Sequence, residues 1–384
     1  MRTVRPYLLL ILLLTGIGIG CKRSYTPPAI KVNLNLLVVD GILVSGNGVT
    51  STFNLSRTNP LTDTTSIYTA EHGAEVTILG STGDSYACTD IGTGAYLSAP
   101  LTLNPSETYQ LKIVTSNGSQ YLSDPVPVLT APPIDSLSFQ QQDSSGNVLI
   151  NINTHDPIGN SHYYRWFFTE TWQYRSEINP ELTTINNQVV YVDSTDSVYN
   201  CYRSDASSDI LIGTSSGLSQ DRISEATIAT IPRGDQKISV RYSMLASQYV
   251  LTQTAYQYWL TIERNTQNLG SLFDPQPSTL NGNYYCITNP NEPVIGYLSA
   301  GSIQQKRYFI DRSQITNWDT AGPSCPAFGT QATPYPYGYQ ASIADWATSE
   351  YGPYYFSASQ LIITYKVCVD CRVQGGTLLK PSFW

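Results

Sequence analysis

The sequence is poor in histidine, methionine and charge. It has three histidines (His72, His155 and His162), two methionines and only 13% charged residues among 384. Lys and Arg number 21 against 29 Asp and Glu, so the chain lacks the basic face that nucleic acid requires. There is no phosphate-binding loop with its lysine and no G-x-G-x-x-G opening a helix. There is no G-x-S-x-G nucleophile elbow either. Six residues separate His155 from His162 in loop-like text, which is not the H-x-x-x-H spacing of a helical zinc site. DSTDS (193–197) and RSDASSD (203–209) cluster side-chain oxygens but lack the EF-hand order. After the first residues, no run of about 18 apolar residues offers a membrane-spanning helix.

What is present begins at the N-terminus. MRTVRPYLLLILLLTGIGIGCKRS has Arg2 and Arg5, then an unbroken apolar run from Tyr7 to Leu14, then small residues and Cys21. That pattern is a secretory signal peptide over 1–20. Its cysteine after Gly20 resembles a bacterial lipobox, which makes Cys21 the expected lipidation site. Gly18 stands where a lipobox usually has Leu. Residues 21–29 then read as a lipidated tether. Removing Arg2 and Arg5 leaves the mature chain at a net charge of −10.

Six further cysteines remain: Cys88, Cys201, Cys286, Cys325, Cys368 and Cys371. An even count in an exported chain points to disulfides, and six cysteines allow 15 full pairings. The Cys-x-x-Cys at 368–371 has no second such pair for zinc. Its flanks, LIITYKV and RVQGG, read as strand and turn rather than the helix start of a redox motif. Structural disulfides are therefore expected, with Cys325 closing a long loop to Cys368 or Cys371. No cofactor and no metal is expected. The terminal TLLKPSFW does not alternate cleanly, and Pro381 would interrupt a ladder. An aromatic plug packed on the body is expected there, rather than a barrel strand.

The rest reads as mainly β. LVVDGILV, TSTFNLSRT, GAEVTILG and ETYQLKIV are strand-like, and Asn117-Gly118 marks a hairpin. These predict an immunoglobulin-like β-sandwich over 30–131. APPIDS (131–136) is a Pro-rich boundary. A larger, mainly-β domain with disulfide-tethered loops is expected over 134–384. Its one long helix is placed at about 247–268, with Leu251, Ala255, Trp259 and Ile262 at helical spacing and Gly270 just beyond its end.

The lipoprotein start, LLVVDGILVSG, GAEVTILG with ETYQLKI, GSLFDPQPSTLNGNYYCITNPNEPVIGYLSAG and the ending CVDCR-GGT-KPSFW carry a family resemblance. Together they resemble the outer-membrane lipoproteins of Bacteroidota grouped as domain of unknown function 4249. The resemblance implies a lipid-anchored outer-membrane location, with the cell surface favoured over the periplasmic face. It also implies association with a TonB-dependent outer-membrane transporter. It supplies no catalytic residues.

The candidate binding segment is the Tyr-rich stretch 326–356. It carries Tyr335, Tyr337, Tyr339, Trp346, Tyr351, Tyr354 and Tyr355. Tyrosine gives rigid, amphipathic contact area at low entropic cost. The leading expectation is a non-catalytic ligand-binding or accessory subunit of the transporter. The alternatives are a surface hydrolase of glycans or peptides and an envelope-assembly scaffold. For the hydrolase, Asp156, Glu170, Glu263 and Asp274 are the candidate carboxylates.

Overall fold

The structure is a computed structural model. It describes residues 35–59, 69–185, 188–193, 197–266, 282–329, 350–357 and 360–384. The chain is mainly β, with several sheets. Among the described residues, no helix is long and apolar enough to cross a membrane.

The first unit consists of two sheets around one core. One sheet holds Leu37–Gly41, Thr52–Arg57 and Ala95–Leu97. The other holds Val126–Leu129, Thr108–Val114, Gln120–Ser123 and Glu75–Gly80. Period-two sequence produces this layering. In Thr108–Val114, Tyr109, Leu111 and Ile113 are buried and their neighbours are half-buried. They meet Leu37, Val39, Phe53 and Leu55 from the opposite sheet.

This unit does not end near residue 131. Residues 284–301 return to it and complete both sheets. Ile295–Gly296 pairs parallel with Leu37–Gly41, Ala300–Gly301 pairs parallel with Val126–Leu129, and Tyr284–Cys286 pairs antiparallel with Gln120–Ser123. Tyr284, Val294, Leu298 and Ala300 enter the shared core. Gly296 is required by the close approach. Its φ is +149°, and a Cβ there would lie 2.4 Å from the Val39 carbonyl oxygen.

The second unit packs a three-stranded sheet (Ile134–Gln141, Val148–His155, Arg222–Ile231) on a five-stranded one. The five-stranded sheet runs Asn200–Ala206, Tyr163–Arg175, Arg241–Val250, Gln304–Asp311, with Leu211–Thr214 beside Tyr163–Arg175. Tyr164, Trp166, Phe168, Trp172 and Tyr174 alternate inward against Val148, Ile150 and Ile152. Gln304–Asp311 follows directly on the segment that closes the first unit, so the chain crosses between units repeatedly.

The long helix is Gln253–Thr266, six residues later at its start than the sequence pattern suggests. Ser247–Val250 instead finish a strand, paired with Tyr164–Phe167. Ten consecutive ladder pairs outweigh the helical spacing that Leu251 extends backwards. Thr252 caps the helix, its Oγ1 accepting the Ala255 N–H at 3.2 Å. The end placed near residue 268, and Gly270, lie outside the described residues.

Four of the six cysteines form disulfides, Cys201–Cys371 and Cys325–Cys368. Cys88 and Cys286 are thiols, a correction to the expectation that all six pair. Sheet register explains it. Cys286 lies opposite Tyr121, Tyr121 opposite Ile113, and Ile113 opposite Val76, whose carbonyl accepts the Cys88 N–H. Four strand spacings separate them by about 19 Å, and a disulfide needs Cα atoms within about 7 Å.

The C-terminus packs on the body. Thr377 exchanges both backbone hydrogen bonds with Tyr202 at the sheet edge. Trp384 lies 5.4 Å from the Tyr202 ring and 5.9 Å from the Phe309 ring.

Candidate binding groove between the two units

Where the units meet, a groove of about 580 Å³ opens, within the size range of small-molecule and peptide sites. Its floor is apolar: Leu129 and Ala131 from the connecting segment, and Val250 and Leu251 from the strand that leads into the helix. Its rim is the Asp156–Tyr163 turn, with Ile158 79% exposed at the tip. A second hollow of about 200 Å³ shares Leu129 and Thr252 with it and runs on along Tyr297 and Leu298.

Both walls are held by buried polar groups. Gln248 is fully buried behind the connecting segment. Its amide nitrogen donates to the Pro132 carbonyl at 2.8 Å and to Thr154 Oγ1 at 2.9 Å, and its oxygen accepts from Trp166 Nε1 at 2.8 Å. Every polar group of that amide except a lone pair is used, so the prolines of APPIDS are fixed rather than loose. Ser302 Oγ accepts the Ala131 N–H at 2.9 Å, tying the connecting segment to the returning chain.

The rim is ordered by two aspartates. Asp156 accepts the N–H groups of Ile158 at 2.9 Å and Asn160 at 3.1 Å. Partial burial pulls its carboxyl upward, but these hydrogen bonds, with those from Ser161, outweigh that and hold its pKa below the usual value. Asp221 is nearly inaccessible. It accepts from Tyr164 Oη at 3.0 Å, from the Ser161 N–H at 3.2 Å and from Ser215 Oγ. His162 Nδ1 stands 3.7 Å from it. This grouping of Ser215, Asp221 and His162 is not a nucleophilic triad. The buried serine donates straight to the carboxylate, and the histidine does not lie between them. The network holds two loops together.

Of the other candidate carboxylates, neither Glu170 nor Glu263 lines the groove. Glu170 is buried in the second core, paired with Lys237 at 2.6 Å and Tyr242 Oη at 2.8 Å. Glu263 lies on the helix, and Asp274 lies outside the described residues. His155 pairs with Asp135 at 2.7 Å. Among the described residues, no cluster of three or more His, Cys, Asp or Glu is placed to hold a metal ion.

Of the Tyr-rich stretch, Tyr335, Tyr337, Tyr339 and Trp346 lie outside the described residues. Tyr351, Tyr354 and Tyr355 sit on a strand, Tyr351–Ser357, antiparallel to Gln360–Tyr365, rather than in a loop. Tyr351 stacks on Tyr365 at 5.3 Å, and the rings of Tyr354 and Tyr355 meet edge-on at 4.5 Å. The groove residues Leu129, Ile158 and His162 were not singled out as a site by sequence. The available signals were the Pro-rich junction and the DPIGNS turn, which say where a chain bends and not what it faces.

A family model matches residues 22–307. The chain belongs to the family described as Domain of unknown function (DUF4249). The family match takes in both β-units as far as the Gln304–Asp311 strand, and with them the whole groove. Cys325, Cys368, Cys371 and the C-terminal tail lie beyond it. No curated protein matches the chain. Among solved structures, the "Biofilm associated protein - BSP domain" is similar at 6% identity with a TM-score of 0.14, a likeness too slight to bear on the fold. That comparison covers 75% of this chain and 62% of the other.

Proposed function

We propose that this family member is a lipid-anchored, outer-membrane protein of Bacteroidota, displayed at the cell surface. In this reading it is a non-catalytic ligand-binding or accessory subunit of a TonB-dependent transporter. Cys21 carries the lipid, and an immunoglobulin-like first unit spaces the body from the membrane. Two disulfides favour an oxidising, extracytoplasmic compartment. The observation that carries the reading is the groove between the units. Its floor is apolar, its walls are preorganised, and its rim projects an exposed Ile158. Low charge around it suits contact through apolar area and hydrogen bonds.

The test is a mild-detergent pull-down of the tagged lipoprotein from outer membranes, with mass spectrometry of what comes along. A stoichiometric TonB-dependent barrel, lost with Ile158→Glu, is expected. A pull-down that recovers no outer-membrane transporter sinks the accessory role and moves the hydrolase and scaffold readings forward.

A further inference from the structure

Three asparagines of the chain precede a glycine: Asn47, Asn117 and Asn281. Asn281 lies outside the described residues. Asn47-Gly48 and Asn117-Gly118 both sit in exposed turns, each with its glycine at positive φ, +74° and +86°. Sequence and exposure therefore do not tell the two apart. Their places in the turn do.

An Asn-Gly pair can modify itself. The glycine nitrogen, once solvent hydroxide has taken its proton, attacks the asparagine Cγ. The new N–Cγ bond closes a five-membered succinimide, the Cγ–Nδ2 bond breaks, and the side-chain nitrogen leaves as ammonia. Water then opens the ring at either carbonyl, giving aspartate or isoaspartate with no change of oxidation state. Glycine has no side chain to obstruct the approach. A fold slows the reaction when hydrogen bonds hold the glycine N–H and the asparagine side chain, because those bonds must break first.

Asn117 is held in both ways. Its turn runs from Thr115 to Gly118, so the Gly118 N–H is the donor that closes it, on the Thr115 carbonyl at 2.8 Å. Asn117 Oδ1 accepts from Thr115 Oγ1 at 2.7 Å and from the Ser119 N–H at 3.0 Å. Thr115 is itself buried, so this anchor is fixed.

Asn47 is placed one step earlier in its turn. That turn runs from Gly46 to Val49, closed by the Val49 N–H on the Gly46 carbonyl at a long 3.4 Å. Gly48 is its third residue, whose N–H is not the closing donor. A Cβ built on Gly48 would meet nothing within 4 Å. The loop is anchored at its ends. The Gly46 N–H donates to the Leu101 carbonyl at 3.0 Å, and the Ser51 N–H donates to Ser98 Oγ at 2.9 Å. Residues 47–50 between these anchors are all exposed, so the attacking geometry is reached without disturbing the core.

We propose that Asn47 is a site of spontaneous deamidation in the folded protein, and that its turn protects Asn117, the same dipeptide. The product carries a new negative charge, and the isoaspartyl form adds a methylene to the loop backbone. Water is the co-reactant and the loss of ammonia is one-way, so the modified fraction records a molecule's age. The site is distinct from the groove between the units and does not depend on the transporter reading.

The test is incubation of the purified full chain in mild detergent at mildly alkaline pH, beside a parallel sample in urea, with peptide mapping by mass spectrometry. In the folded protein Asn47 should convert about tenfold or more faster than Asn117, the effect of breaking one or two hydrogen bonds before attack. In urea the two rates should converge, because the fold alone separates them. An Asn47 that stays intact in the folded chain overturns the proposal. So does an Asn117 that converts as fast as Asn47 there, or a rate ratio that survives unchanged in urea.

Discussion

Removing the Cys201–Cys371 bond by the double change Cys201→Ala/Cys371→Ala should cost most of what a disulfide can contribute. The bond spans 170 residues. Chain entropy for a loop of that length gives about 5 kcal/mol at 25 °C, against about 4 kcal/mol for the 43-residue Cys325–Cys368 loop. Both sulfurs are fully buried, and the neighbourhood is tight. Tyr174 Oη donates to the Cys371 carbonyl at 2.8 Å, and a Cβ on Gly376 would sit 2.8 Å from the Cys201 Cβ. Two small voids therefore add about 1 kcal/mol. The expected loss is about 5–6 kcal/mol, a third or more of the stability of an ordinary domain. The assay is urea unfolding of the oxidised proteins, followed by tryptophan fluorescence. The midpoint should fall, and the slope should rise, because the unfolded variant exposes more surface. A loss below about 1 kcal/mol would refute the reasoning, since it would mean the bond constrains neither the unfolded chain nor the tail.

Gln248→Ala should destabilise by about 3 kcal/mol, because it strands the Trp166 N–H and the Pro132 carbonyl in a dry interior; an unchanged urea midpoint would contradict this. Asp156 has a folded pKa below its unfolded value. Its contribution is therefore complete above the unfolded value of about 3.9 and disappears as pH falls through the lower folded value. The stability gap between wild type and Asp156→Asn should narrow over that window in acid titrations. Non-reducing peptide mapping of the unfolded chain should find Cys88 and Cys286 alkylated and the other four of these six cysteines paired. In the folded protein Cys88 should label slowly at pH 8, because burial pushes its thiol up to about 11. A peptide cross-linking Cys88 to Cys286 would refute the register argument.

Much of the strand content was legible because burial on one face imposes period two. Tyr109, Leu111 and Ile113 alternate in the sequence and are buried in the structure. The hairpin at Asn117-Gly118 forms as read, with Gly118 at φ +86° and its N–H on the Thr115 carbonyl. Trp384 packs against Tyr202 and Phe309, as the aromatic-plug reading expected. Local pattern failed where long-range pairing decides. NYYCITNPNEPVIGYLSAG gives no sign that its partners are Leu37–Gly41 and Val126–Leu129. The helix start was misplaced because Leu251 fits a helical stripe equally well from the end of a strand. The groove was invisible for the same reason. It is a space between segments distant in sequence, each of which reads as an ordinary turn or linker.

The return of residues 284–301 to the first unit also sets an order of events. A chain made from its N-terminus produces residues 35–131 long before the strands that close their sheets. In that interval Leu37–Gly41 and Val126–Leu129 lack their parallel partners, and Gln120–Ser123 has an unpaired edge. Open edges of this kind recruit other strands. The protein therefore has a long vulnerable stage built into its connectivity, spanning synthesis of the whole second-unit segment up to Val250 and the helix after it. A fragment cut at the Pro-rich junction would be frozen at that stage, whereas one that fuses residues 35–131 to 282–301 would have every edge it needs.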